Sequence, residues 1–192
     1  MEEDPQKFKV SFIGPCTGGK TSIITRFHSK NFTTQVDYTI GASFISHTLS
    51  TSNGDVTLHI WDTAGQERYK CLVPMYFRGS AALVVVFDIS SPINFESAKE
   101  WCTTVNNEED NSFDLYFVAN KMDLQQNVSR EKAEEFAKSV NATYLETSAK
   151  TGENVDALFE MIAENISKRD EAYLGIPISD TEEQQNKSGC CK

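Results

Sequence analysis

The segment from Gly14 to Thr21, GPCTGGKT, matches the spacing GxxxxGK[ST] of a phosphate-binding loop. It lies between an apolar stretch, Phe8 to Ile13, and a segment with helical character, Thr21 to His28. Backbone N–H groups of such a loop converge on phosphate oxygens, helped by the positive end of the following helix. Lys20 would then reach the β- and γ-phosphates, and the Thr21 hydroxyl would bind Mg²⁺. Taken alone, the segment could also be an ordinary glycine-rich turn.

A second cluster follows the stretch from Thr57 to Trp61, which begins as an alternating pattern and ends as an apolar one. Asp62 stands where this strand should end, and Gly65 follows three residues later. An Asp at that place can hold Mg²⁺ through water, and the Gly65 N–H can bond a γ-phosphate. The segment is therefore predicted to sense a third phosphate.

Two further clusters favour a guanine base. Asn120-Lys121-Met122-Asp123 follows an apolar run at the end of a predicted strand, where ligands bind in open α/β sheets. A carboxylate such as Asp123 can accept hydrogen bonds from the N1–H and the 2-amino group of guanine, which adenine cannot supply. Glu146-Thr147-Ser148-Ala149-Lys150 closes another short strand, and its backbone could donate to the guanine O6.

The elements that position these clusters alternate between strands and helices. Continuous apolar runs, which are typical of buried parallel strands, occur at Ala82 to Asp88 and Leu115 to Ala119, and a shorter strand is expected at Thr143 to Leu145. Helical spacing of apolar residues is found at Phe95 to Val105, Ser129 to Val140 and Val155 to Ile166, with Ser129 as a cap.

The stretch from Phe44 to Leu49 should pair with Thr57 to Trp61 as a hairpin, because Ser52-Asn53-Gly54-Asp55 is a turn signal. That pairing makes one strand antiparallel to the others. The predicted fold is an α/β, doubly wound P-loop NTPase sheet of about six strands, mostly parallel, with helices on both faces.

Composition limits the alternatives. The chain has 192 residues, which suits one domain over residues 1–169 and a polar tail over residues 170–192. Its net charge of −10 argues against general nucleic-acid binding. No apolar stretch approaches the roughly 20 residues of a membrane span, so the cytosol is the expected compartment. The cysteines lack disulfide or metal-ligand spacing, and Cys71 and Cys102 should be reduced.

Four motifs in this order, each at a strand-to-helix junction, resemble the small Ras-like GTPases, from about Lys7 to the chain end. Within that group the sequence is similar to that of the Rab family at residues 60–69, IWDTAGQERY, and 75–80, MYFRGS. The finer resemblance, at residues 39–44, TIGASF, and 72–76, LVPMY, is to the early-endosomal Rabs.

The resemblance implies two switch segments, Asn31 to Gly41 and Gln66 to Phe77. In the first, Thr39 would supply a second Mg²⁺ ligand, and Phe32 would lie edge-on against guanine unless it packs into the core instead. In the second, Gln66 would orient the attacking water, and slow intrinsic turnover follows because positioning supplies most of the rate. The residues expected to contact the nucleotide are Thr17, Gly18, Gly19, Lys20, Thr21, Ser22, Phe32, Thr39, Gly65, Asn120, Lys121, Asp123, Ser148, Ala149 and Lys150, and those expected to hold Mg²⁺ are Thr21, Thr39 and Asp62.

The resemblance also implies protein partners. Phe44, Trp61 and Tyr76 match an aromatic triad that Rabs present to effectors, and the switch segments would engage an exchange factor and a GTPase-activating protein. Aromatic residues at such positions can instead pack into the domain, and exposure decides between the two. An exposed cluster would form a small hydrophobic anchor for a partner.

The chain ends in Cys190-Cys191-Lys192, which is not a CaaX sequence but resembles the twin-cysteine ends of Rabs. Such cysteines receive geranylgeranyl groups from prenylation enzymes, and the lipids would anchor the protein to the cytoplasmic face of an intracellular membrane. An incidental or redox-active pair is the alternative. The polar segment before the cysteines would serve as a tether.

Two features of the phosphate loop depart from the usual Rab pattern GxxGxGK. Thr17 is β-branched and disfavours positive φ, and Gly18 stands where a valine is common. If the backbone at residue 17 needs positive φ, we expect the loop to shift and to use Gly18. Cys16 also adds a Cβ near the γ-phosphate, where it could obstruct an arginine finger.

The sequence thus predicts an Mg²⁺-dependent, Rab-like GTP switch in vesicle traffic. A guanine-nucleotide-binding interaction module with little hydrolysis is the alternative that Thr17 leaves open. A P-loop ATPase or small-molecule kinase is disfavoured, because the two base-binding clusters suit guanine.

Overall fold

The computed structural model describes residues 5–33, 39, 41–64, 77–107 and 112–169. In chain order, the strands are β1 Gln6–Ile13, β2 Ala42–Thr51, β3 Gly54–Thr63, β4 Ala82–Asp88, β5 Asp114–Asn120 and β6 Thr143–Glu146. The helices in this part of the chain are α1 Lys20–Ser29, α2 Pro92–Asn106, α3 Arg130–Ser139 and α4 Val155–Ser167.

The strands form one sheet in the order β2-β3-β1-β4-β5-β6. All neighbouring strands are parallel except β2 and β3, which form the antiparallel hairpin. The predicted fold class is therefore confirmed. The parallel strands bring their carboxyl ends to one edge of the sheet, where the polar clusters of the sequence follow.

Helices cover both faces of the sheet and bury its central strands β4 and β5, whereas the edge strand β2 is mostly exposed. On one face, α1 and α4 pack through apolar residues such as Ile23, Phe27 and Phe159. On the other face, α2 and α3 pack through residues such as Phe95 and Ala133. Every residue of β4 is buried, which explains why its sequence is a continuous apolar run rather than an alternating one.

The hairpin is longer than its sequence pattern predicts. Ladder pairing runs from Ala42 opposite Thr63 to Thr51 opposite Gly54, so the turn consists of Ser52 and Asn53. The Ser52 N–H donates to the Glu164 carboxylate at 3.0 Å, and the Asn53 amide donates to a carbonyl of α4 at 3.0 Å. These bonds tie the tip of the hairpin to α4.

The predicted cap of α3 is confirmed, because the Ser129 hydroxyl accepts a hydrogen bond from the Lys132 N–H at 3.3 Å. Cys102 is a free, buried thiol of α2, and burial raises its pKa to about 12, so it is structural as expected. Cys71 lies outside the described residues. Among the described helices, none has the length and apolarity needed to cross a membrane.

Candidate nucleotide-binding site

The loop between β1 and α1 lies at the carboxyl edge of the sheet, and its glycines are required by close packing. A Cβ added at Gly18 would lie 2.5 Å from the Val86 carbonyl oxygen of β4, and one at Gly14 would lie 2.7 Å from it. Gly19 caps α1 with φ of 95°, and a Cβ there would meet the Asn120 amide at 2.2 Å. The loop can approach β4 and β5 this closely only because it lacks these side chains.

Lys20, the first residue of α1, is buried with its ammonium group against the loop. Its Nζ donates to the carbonyl oxygens of Gly14 and Pro15, both at 2.9 Å. Burial lowers the pKa of Lys20 to about 8, although the nearby Asp62 carboxylate opposes the shift. A phosphate placed in this loop would favour the charged ammonium and complete its environment.

The expectation that the loop shifts to use Gly18 is wrong. Thr17 itself adopts the left-handed conformation, with φ of 65°, while Gly18 has no positive φ. The packing of Gly18 against Val86 fixes the loop on that side, so the strain remains at the β-branched residue. A non-glycine residue in this region costs about 1–2 kcal/mol.

Three oxygen-bearing side chains from separate segments meet beside Lys20. The Thr21 hydroxyl donates to Asp62 Oδ2 at 2.6 Å and lies 2.9 Å from the Thr39 hydroxyl. Burial raises the pKa of Asp62, and among the described residues its Oδ1 has no hydrogen-bond partner. A buried carboxylate with one free oxygen, next to two hydroxyls, fits a hard divalent cation, because such cations prefer oxygen ligands. The three residues predicted to hold Mg²⁺ are thus brought together.

Asn120 connects the phosphate loop to the base-binding clusters. Its Nδ2 donates to the Gly18 carbonyl at 2.9 Å, and its Oδ1 accepts from the Ala149 N–H at 3.2 Å and from the Thr147 hydroxyl at 3.3 Å. The side chain is buried, so these bonds fix its orientation. Asn120 therefore holds three loops in register and is not available as a free recognition group.

Asp123, which the sequence predicts to read the base, is held by two neighbouring side chains. Its Oδ1 accepts from the Ser148 hydroxyl at 2.6 Å, and Lys150 lies 3.7 Å from its Oδ2. The Ser148 hydroxyl also accepts from the Thr151 N–H at 3.1 Å, which orients it toward the carboxylate. Held in this way, the carboxylate can accept two hydrogen bonds from one edge of a purine.

Lys121 lies between the base-binding and phosphate-binding parts of the site. Its backbone is left-handed, with φ of 66°, and its ammonium donates to Asp88 Oδ2 at 2.7 Å. Although burial raises the pKa of Asp88, hydrogen bonds from Lys121 and Ser90 hold it below its ordinary value. The carboxylate thus stays charged and fixes Lys121 at the end of β4.

Two of the three aromatic residues predicted to bind partners, Phe44 and Trp61, lie in the described part of the chain and are partly exposed. Phe44 is 48% exposed and its ring lies 5.4 Å from that of half-buried Trp61, whose indole is covered by Lys9 at 5.4 Å. Phe32 is 37% exposed and does not pack into the core. Phe44 and Trp61 thus form one aromatic surface on the β2–β3 face, and we call these two residues the aromatic pair.

Two site residues escaped the reading of the sequence. Asp88 holds Lys121, and Asn94, in the first turn of α2, contacts the phosphate loop at Cys16 and Thr17. No sequence pattern marked Asn94 as a site residue, because polar residues are common in the first turn of an amphipathic helix. Asp88 was visible only as the end of a strand.

Several predicted residues lie outside the described part of the chain: Gly65, Gln66, Tyr76, Cys190 and Cys191, together with most of both switch segments. Ser22 is half-buried in the first turn of α1, beside Thr21.

A family model, the Ras family, matches residues 9–168. The match begins within β1 and ends just after α4, so it covers all of the strands and helices described above except the first three residues of β1. It therefore includes the phosphate loop, the side chains predicted to hold Mg²⁺ and both clusters predicted to bind the base. The chain belongs to the Ras family, and its domain is that of a small, guanine-nucleotide-binding GTPase switch.

Proposed function

We propose that the protein is a Rab-like GTPase that regulates vesicle traffic, with the early endosome as its compartment. In this proposal residues 1–169 form the switch domain and residues 170–192 form a membrane tether. Binding of GTP and Mg²⁺ favours the partner-binding state, and slow hydrolysis to GDP ends it.

The observation that carries the switch proposal is the contact between Thr39 and Thr21. Thr39 belongs to the first switch segment, and its hydroxyl lies 2.9 Å from a side chain of the phosphate loop's helix. Asp62, which leads into the second switch segment, bonds the same Thr21 hydroxyl. A ligand that binds these oxygens therefore acts on both switch segments at once.

Mg²⁺ would be held by the oxygens of Thr21, Thr39 and Asp62, and it would neutralise charge on the transferred phosphate. Lys20, fixed by two loop carbonyls, adds a second positive charge to the same place. Asp123 binds the base, and Asn120 keeps its loop aligned with the phosphate loop. The chain's own groups therefore position the nucleotide, and the rate depends on how well water is oriented.

The structure gives less support to the alternative function, a binding module with little hydrolysis. That alternative rested on displacement of the loop by Thr17, whereas Thr17 adopts the left-handed conformation without displacing Gly18. A direct measurement of hydrolysis separates the two functions.

We expect the Gln66→Leu variant to hydrolyse GTP several-fold to about tenfold more slowly than wild type, with nearly unchanged nucleotide affinity. Gln66 is proposed to orient the attacking water. Its loss should therefore remove about 0.5–1.5 kcal/mol of stabilisation from the transition state and leave the ground state unaffected. Single-turnover rates and nucleotide titrations measure the two quantities separately. Equal hydrolysis rates for variant and wild type would show that Gln66 does not have this role.

Partner binding is proposed to use the aromatic pair together with Tyr76 and the switch segments. The support is the exposure of Phe44, whose ring contacts Trp61 on a face that can be reached from outside. Buried aromatic area is the usual source of interface energy. An exchange factor, a GTPase-activating protein and effectors are the partners implied.

Membrane attachment is proposed to depend on lipids at Cys190 and Cys191. A single lipid chain gives only marginal, reversible binding, and a polybasic segment usually adds the second signal. In residues 170–192 the acidic side chains outnumber the lysines: Asp170, Glu171, Asp180, Glu182 and Glu183 against Lys187 and Lys192. Charge therefore gives little help, and both cysteines should be prenylated.

We expect either Cys190→Ser or Cys191→Ser to move much of the protein from membranes to the cytosol. The remaining lipid chain would bind only weakly, because the acidic tail is repelled by anionic lipid. Mass spectrometry of the peptide containing both cysteines, from native cells, and membrane fractionation of each variant provide the test. An unmodified peptide from membrane-bound protein would reject lipid attachment and indicate a protein receptor.

A further inference from the structure

The phosphate loop contains a residue with a strained backbone, Thr17, which is contacted by a side chain from outside the loop. Thr17 has φ of 65°, a conformation that β-branched residues disfavour. The loop cannot relieve this strain by moving toward β4, because Gly18 already packs against the Val86 carbonyl. Another group must therefore hold Cys16 and Thr17 in place.

Asn94 supplies contacts of this kind from the first turn of α2. Its Nδ2 donates to the Cys16 carbonyl at 2.8 Å and lies 3.4 Å from the Thr17 hydroxyl. Its Oδ1 accepts from the Asp88 N–H at 2.8 Å. Since an N–H can be met only by the amide oxygen, that bond turns the NH₂ group toward the loop.

Asn94 is itself rigidly held. Its own N–H donates to the capping hydroxyl of Ser91 at 3.3 Å, and the adjacent Phe95 is buried in the core. Asp88, to which the amide is bonded, also receives the Lys121 ammonium. The amide therefore links the phosphate loop to the end of β4 and, through Asp88, to the base-binding cluster.

We propose that Asn94 is a positioning residue for nucleotide binding, which holds Cys16 and Thr17 in the phosphate-binding conformation. Its role is to stabilise a left-handed backbone that glycine would adopt without help. The inference rests on nucleotide binding by this loop, and it assigns part of the affinity to a residue outside the loop and outside the motifs.

A double-mutant cycle tests this role, with the dissociation rate of a fluorescent GDP analogue as the readout. In the wild-type background, Asn94→Ala should speed dissociation by about 5- to 30-fold, because buried polar groups lose their partners and the loop relaxes. In the Thr17→Gly background the same change should alter the rate by about twofold or less, since glycine adopts the conformation unaided.

The matched control is Asn106→Ala, at the opposite end of α2. The Asn106 amide donates to the Val140 carbonyl at 3.1 Å, so this change also removes a bond between an asparagine and a backbone carbonyl. We expect it to lower the melting temperature without altering GDP dissociation. Asn94→Ser, which is too short to reach both partners, serves in the same cycle if Asn94→Ala does not fold.

Two outcomes contradict different claims. Equal fold-changes for Asn94→Ala in the two backgrounds would overturn the positioning role and leave Asn94 as a general structural residue. A wild-type protein that binds no guanine nucleotide in this assay would instead overturn the proposed function.

Discussion

The Asp123→Asn variant is expected to bind GTP at least about tenfold, and up to about 100-fold, more weakly than wild type and to gain affinity for xanthosine triphosphate. The carboxylate accepts one or two charge-assisted hydrogen bonds from guanine, each worth about 1.5–3 kcal/mol. An amide can donate to the 2-oxo group of xanthine, where the carboxylate cannot. Ser148 already holds Oδ1 at 2.6 Å, so the new side chain should keep the orientation of the old one.

Titration of both nucleotides measures this exchange of specificity. Asp156→Asn is the matched control, because Asp156 is an exposed carboxylate on α4 that pairs with Lys30 at 2.5 Å rather than with a residue of either base-binding cluster. It should leave both affinities unchanged. Wild-type GTP affinity in the Asp123→Asn variant would reject Asp123 as the group that reads the base.

Thr21→Asn should weaken GTP binding in the presence of Mg²⁺ by about 10- to 100-fold and favour the GDP state. The hydroxyl lies 2.6 Å from Asp62 and 2.9 Å from Thr39, so a larger amide displaces both neighbours. Changes to groups that only support metal ligands already cost about this much. GTP and GDP affinities measured over a series of Mg²⁺ concentrations give the result.

The control for this change is Thr25→Asn, an exposed position one turn further along the same helix. It should preserve the Mg²⁺ dependence of wild type. If Thr21→Asn also showed that dependence, the oxygen cluster would not be the cation site.

The fold was predictable because its signals are local. β4 was predicted with the observed bounds, since a strand buried on both faces leaves an unbroken apolar run. Ser129 was predicted as a cap from its place before a helical pattern. The length of the hairpin was underestimated. Its strands extend beyond the predicted bounds mainly through polar residues, which pair across the ladder but give no apolar pattern in the sequence.

The site was predictable where a motif or strand end marked it. Thr21 and Asp62 come together because β1, which leads into the phosphate loop and α1, runs parallel to β3 and ends at the same edge of the sheet. The conformation of Thr17 was not predictable, because it depends on the packing of Gly18 against β4 and on Asn94, which is 77 residues away in sequence. Such contacts are set by tertiary structure and leave no local pattern.

The most direct test of guanine-nucleotide binding is chromatography of the nucleotide that the purified protein releases on denaturation. We expect GDP or GTP in about equimolar amount to the protein, because Asp123 and its neighbours at Ser148 and Lys150 suit a guanine edge. Recovery of adenine nucleotides would contradict that assignment and support an ATPase or kinase instead.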